Sequence, residues 1–392
     1  MLLPLEAKDT GKNALLAMVL KKSNNLYKTE KQIDRVLASL YNASIDMGIE
    51  KIDNMYNMQF SMEILNAEYM TKEELLKARN LLVAFICDPN VNNDSFDEII
   101  VERQKASLIE KISEERDDKK RYALKRLEED MFCATEYGAS VLGTIEDIQK
   151  ITAKELYTWY KEVISKAEVV VTATGNLDKM EEFPKRIYED ICETCGKHMV
   201  KNKAIVENIS KDIKENIEIQ QISQSVLCIG VRLYIQKEDM YKALVYNSLL
   251  GGTPASKLFQ NVREKESLAY FAKSTYNRHK QAIYMFAGVD PIKQNKAKEV
   301  MLEQLEMLKR GDVSDVEFNA AKQSIMSAYI ETKDSKAQLA RQMLNNEVYF
   351  NDQISIEEMV KEINEVTLED VIDIANKVKV TNVFILGGIT NA

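Results

Sequence analysis

Arg263 and Tyr270 stand seven residues apart in the run LFQNVREKESLAYFAKSTY. Leu258–Lys265 reads as a helix end, and Leu268–Tyr276 alternates as a strand does. A guanidinium and a phenol therefore flank a helix-to-strand corner. Both are hydrogen-bond donors, so converging on one pocket they could grip a substrate carbonyl and stabilise an oxyanion. Spacing alone favours the plainer alternative, a surface arginine and a packed tyrosine.

A second group is Cys192-x-x-Cys195-x-x-His198, in ICETCGKHM. Two thiols and an imidazole could supply three zinc ligands, but no fourth is visible nearby. Reduced, exposed thiols beside a surface histidine are the favoured reading. His279, in the turn Tyr276-Asn277-Arg278-His279, reads as a hairpin-tip residue. With only two histidines in the chain, and no Ser-His-Asp set, an independent serine hydrolase is disfavoured.

The elements that must position these residues come in two copies. ITAKELYTWYKEVISKAEVVVTATGNL at 151–177 predicts an amphipathic helix, an apolar strand at Val169–Thr174 and a glycine turn. VTLEDVIDIANKVKVTNVFILGGI at 366–389 repeats that order about 215 residues later, and Thr152 and Thr367 fit the two N-caps. Upstream of each, residues 96–132 and 314–350 read as a long charged helix, an acidic break and a second helix. Strand-like runs fall at Met55–Leu65, Leu227–Tyr234 and Ala282–Val289. Strands mixed with long helices predict an α+β fold of two duplicated domains, each a mainly antiparallel sheet with helices on one face. The expected bounds are 1–195, a polar linker at 196–216, and 217–392.

Composition narrows the partners. Hydrophobic residues at 45% and charged residues at 29% suit a globular protein with a sizeable core. A net charge of -9 disfavours nucleic acid, whose phosphates need clustered Lys and Arg. No apolar run approaches the ~18 residues of a membrane span, and MLLPLEAKDTGK lacks a basic leader. Five sparse cysteines point to free thiols in a reducing compartment, so a cytoplasmic location is expected.

SLLGGTPASKLFQNVREKESLAY resembles the C-terminal-domain signature of the pitrilysin/insulinase family of zinc peptidases, which includes mitochondrial processing peptidase. The matching positions are Gly251, Gly252, Ser256, Leu258, Phe259, Val262 to Lys265 and Leu268 to Tyr270. The resemblance implies duplicated α+β halves forming half of a clamshell, and gives Arg263 and Tyr270 the role of binding substrate near the active site. It also implies a peptide that adds as a strand to an exposed sheet edge, for which Met55–Leu65 is the candidate region, with a plain core strand as the alternative.

Catalytic members of that family carry His-x-x-Glu-His on a helix near the N-terminus, where two histidines bind zinc and the glutamate activates water. The corresponding helix here is Asn13–Lys22, NALLAMVLKK. Its ligand positions are Ala14 and Met18, and its base position is Ala17. Methyl and thioether groups cannot make a tetrahedral N/O site. Glu102 and Glu110 are the nearest candidates for the family's third ligand, but without the histidine pair each reads as an ordinary exposed side chain.

The chain is thus identified as a bacterial-type member without the zinc motif. It is expected to have no cofactor of its own and to be inactive alone. The leading expectation is a non-catalytic subunit of a heterodimeric zinc peptidase acting on peptides, with zinc in a homologous partner and Arg263 and Tyr270 supplied from this chain. The alternative is a structural or peptide-binding homologue, possibly homodimeric.

Overall fold

The computed structural model describes residues 1–177, 180–200 and 212–388. The chain divides into two compact units, Met1–Glu114 with Ala134–Ile205, and Glu115–Cys133 with Val206–Ala392.

The first unit opens with β1 (Leu2–Pro4), α1 (Thr10–Leu20) and α2 (Glu30–Ser39). The hairpin β2 (Ser44–Ile52) and β3 (Met55–Glu63) follows, then α3 (Lys72–Cys87). A short hairpin, β4 (Val91–Asn92) with β5 (Ser95–Phe96), leads into α4 (Glu98–Asp117). After α5 (Lys119–Met131), which belongs to the other unit, come α6 (Ile145–Lys150), α7 (Ala153–Lys166) and α8 (Glu182–Cys195). Helix starts are set locally: Thr29 with Gln32, Thr71 with Glu74 and Thr152 with Glu155 form reciprocal capping boxes. Each satisfies two otherwise orphaned N–H groups, and losing such a cap costs about 1 kcal/mol.

The sheet of this unit is antiparallel in the order β1-β3-β2. The Met55–Leu65 run is therefore its middle strand, paired with β2 throughout and with β1 over Met55–Asn57. Over Met55–Asn57 the run is therefore no exposed edge, whereas Gln59–Glu63 is paired on the β2 side alone among the described residues. The strand expected at Val169–Thr174 is reduced to one bridge, Leu2 opposite Glu168.

The second unit contains β6 (Lys214–Gln220), β7 (Ser225–Leu233) and α9 (Met240–Asn247), which runs on into a π-helical turn at Ser248–Gly252. A second π-helical segment, Leu258–Lys265, precedes β8 (Ala269–Asn277) and β9 (Ala282–Val289). Five helices follow: α10 (Gln294–Lys309), α11 (Asp315–Thr332), α12 (Lys336–Phe350), α13 (Ile356–Glu365) and α14 (Leu368–Lys377). The long strand β10 (Val378–Gly388) closes the unit. Its sheet runs β6-β10-β7-β9-β8, parallel only between β6 and β10. Most of the expected linker, residues 201–211, lies outside the described residues, but its last three positions are the start of β6.

Strand alternation decides what each sheet face does. Leu227, Ile229 and Val231 of β7 and Ile283, Met285 and Ala287 of β9 enter one core with α9, α10, α13 and α14. Each such fully buried aliphatic side chain stabilises the unit by roughly 1.5–3 kcal/mol. The opposite face takes α5. Tyr122 donates to the Glu218 carboxylate at 3.0 Å, and Tyr284 donates to Glu128 at 3.1 Å. Lys120 Nζ lies 4.7 Å over the Phe286 ring, and the Met131 thioether fills the space where a Cβ on Gly230 would stand. The one-faced arrangement expected from the sequence thus gains one helix, drawn from earlier in the chain.

Candidate functional site

The signature segment separates cleanly into scaffold and display. Leu258 and Val262 are fully buried, Leu268 nearly so, and Ser256 bonds the Thr253 carbonyl at 2.5 Å. Lys257 is buried against Glu317 at 2.6 Å. Gly251 is required by packing: a Cβ there would collide with the Ser274 backbone N–H on β8. These residues hold the π-helical segment against the strand.

Arg263 and Tyr270 are what that scaffold presents. The Arg263 side chain is 43% exposed, lies 4.6 Å over the Phe259 ring and pairs weakly with Glu264 at 3.5 Å. Tyr270 is 71% exposed. Between them, Leu268 N–H donates to the Val262 carbonyl at 3.0 Å, and Ser267 takes a left-handed φ of 49° to turn the corner. The β8–β9 register shifts between Ala269 and Phe271, so Tyr270 is the extra residue of a β-bulge. Bulges of this kind re-aim a side chain and are frequent beside active sites, as are π-helical turns. Among the described residues no hydrogen bond joins the two side chains, and both reach solvent. The bulge was not readable from the sequence, because alternation in AYFAKSTYN hides one inserted residue.

The positions that a metal would need are of the wrong chemistry. Ala14 on α1 is 0% exposed, Ala17 is 4% exposed, and Met18 is half-buried. The helix is packed against β2, β3, α6 and α7, so its face is filled core. A tetrahedral zinc site does not fit these residues. Glu102 is exposed and paired with Lys105 at 2.9 Å, and Glu110 is exposed, as an ordinary helix surface would be. Lys105 itself is buried and also donates to the Gln149 carbonyl at 3.0 Å, a polar anchor not foreseen from the sequence.

The Cys192, Cys195 and His198 group does not converge on a metal position. Among the described residues no group of three or more His, Cys, Asp or Glu is arranged to hold one. His198 Nε2 meets the Cys195 backbone carbonyl at 2.8 Å, not a thiol. Both α8 cysteines are buried, which corrects the expectation of exposed thiols: they sit on the helix's packed face. His279 lies in the β8–β9 turn as expected and packs edge-on against Tyr349 at 5.4 Å between centroids.

Fold and site define a peptidase-like α+β protein whose first helix is apolar. Residues 150–325 match the family model described as "Peptidase M16 inactive domain". The chain is 30% identical over 398 residues to a Bacillus subtilis protein named "Probable inactive metalloprotease YmfF", covering 100% of this chain and 92% of that one. A solved structure of a conserved protein from Enterococcus faecalis matches with a TM-score of 0.91 at 25% identity, over 100% of this chain and 92% of that chain. The peptidase M16 inactive domain from Pseudomonas fluorescens matches in fold, with a TM-score of 0.76 at 16% identity over 99% and 92% of the two chains. The chain belongs to the M16 peptidase family and is a member without the zinc motif, which bears out the resemblance read from its signature segment.

Proposed function

We infer that this inactive family member serves as the substrate-gripping subunit of a heterodimeric peptidase, with a zinc-bearing homologue as partner. The observation that supports this reading is the division of labour within the signature. Its apolar residues are buried and explain the fold, whereas Arg263 and Tyr270 stand at a corner and a bulge and remain largely exposed. A guanidinium and a phenol held this way suit a peptide carbonyl, on which negative charge develops during cleavage. The partner would supply the metal-activated water; this chain would orient the peptide and donate hydrogen bonds to its oxygen.

Co-expression with a zinc-motif homologue from the same genome tests the reading. A tight complex of one copy each, cleaving peptides that neither chain cleaves alone, supports it. A stable homodimer that ignores the homologue, and no cleavage by the mixture, favours a structural or peptide-binding protein instead.

A further inference from the structure

β6 is an edge of the second unit's sheet: β10 pairs with it on one side, and among the described residues no strand pairs on the other. Such an edge presents a row of backbone N–H and C=O groups to any strand that can lie against it. Proline, a bulge or a very short strand would blunt it. β6 has seven residues, runs in unbroken register with β10 and contains no proline. One of its faces is also apolar and open. Ile213, just before the strand, is 51% exposed, Ile217 57% and Ile219 61%. Glu215 shares that face but is bonded to Lys298 at 2.9 Å. A strand laid along this edge would draw those isoleucines out of water.

We propose that the edge takes a second copy of this chain, the two β6 strands pairing antiparallel about a two-fold axis at Asn216. The charges carry this choice of occupant, because in that register the strand is complementary to itself. Lys214 stands opposite Glu218 and Ile213 opposite Ile219, and the two-fold axis makes each pair occur twice. Like faces stay together, so the isoleucines of both copies fall on one side of the joined sheet. Lys214 is exposed and has no ion pair among the described residues. Glu218 accepts from Tyr122 at 3.0 Å and from Gln220 at 2.9 Å, which holds its carboxylate in place, yet its side chain is still 34% exposed.

Neighbouring registers that keep the faces matched are worse. An axis at Glu215 or at Glu218 sets a carboxylate against its own copy, which is destabilising. An axis at Ile217 puts Lys214 opposite Gln220 and Asn216 opposite Glu218, with no ion pair. The pairing is also at the opposite edge of the sheet from β8, which carries Tyr270, so it does not rest on the function proposed above.

The test uses the full chain by itself, so its outcome is independent of any zinc-bearing homologue. Analytical ultracentrifugation should find a reversible dimer. Lys214→Glu sets like charges opposite each other twice and should weaken that dimer tenfold or more, with an unchanged circular dichroism spectrum. A second measurement needs no variant. Unlabelled and isotope-labelled chains are mixed, left to exchange and treated with a carbodiimide, which joins an amine to a carboxylate in contact. A Lys214–Glu218 amide linking a light peptide to a heavy one is expected. Within one chain these residues lie about 13 Å apart along the strand, too far for such a link. A chain that stays monomeric, a dimer unmoved by Lys214→Glu, or light-to-heavy links only between other residues would each overturn the proposal. The wild-type cross-link decides this even if the glutamate variant fails to fold.

Discussion

Trp159 donates its indole N–H to the Asn13 side-chain oxygen at 2.9 Å, with both residues buried. The bond pins α7 to α1 one residue before Ala14, so α1 is a structural strut. Asn13→Leu leaves the indole N–H without a partner in the core, at a cost of about 1–3 kcal/mol. Urea denaturation should show a lowered midpoint with an unchanged slope; an unmoved midpoint would mean that the bond contributes nothing.

Rebuilding the metal motif should fail for steric reasons. The triple variant Ala14→His, Ala17→Glu, Met18→His forces two large polar side chains into positions that are almost wholly buried. Overpacking typically costs about 1–3 kcal/mol per site, and an unpaired buried polar group adds to it. Elemental analysis should find no stoichiometric zinc, and thermal unfolding should move down. A stable variant holding one zinc per chain would show that the site was lost by side-chain identity alone.

The two glycines of the signature should behave differently. A Cβ on Gly251 meets the Ser274 backbone, whereas one on Gly252 comes no nearer than 3.5 Å to its nearest neighbour, the Asn247 carbonyl. Gly251→Ala should lose about 1–3 kcal/mol, and Gly252→Ala should stay within about 0.5 kcal/mol. Equal effects in chemical denaturation would contradict the close helix–strand approach.

Acid should loosen the second unit through Glu317. Burial works to raise its carboxyl, but hydrogen bonds from Lys257 and from Ser314 outweigh it and hold the group below the ordinary value of 4.5. A carboxyl lowered on folding stabilises the fold above its unfolded value, and that contribution is lost as pH falls through the folded one. Stability measured from pH 6 downward should therefore drop below about 4.5, and Glu317→Gln should flatten that limb while lowering the plateau. An acid limb identical to wild type would rule out this carboxylate as its source.

Much of the fold was legible because its signals are local. Thr152 and Thr367 are N-caps as read, boxed with Glu155 and Asp370, and the helix pairs at 96–132 and 314–350 are both present. What escaped depends on distant partners. Nothing in the residues of α5 says that its face will cover the second unit's sheet, since that depends on β6, β9 and β10, which lie 80 or more residues away. The polar strand KENIEIQ was read partly as linker because an edge strand, exposed on most residues, needs no apolar alternation. Of the candidate site, the signature segment that carries Arg263 and Tyr270 was readable, because its residues are contiguous. The bulge at Tyr270 was not, since it shows only in the register of β8 against β9.

Arg263→Ala in the co-expressed complex tests the central claim most directly. Removing one donor to a developing oxyanion costs about 2.7–4 kcal/mol of barrier, so kcat/KM for peptide cleavage should fall 100-fold or more. Complex formation should be untouched by the change, and the partner's zinc content should likewise stay the same. A variant complex that cleaves at the wild-type rate would show that Arg263 takes no part in substrate, and with it the shared active site would be gone.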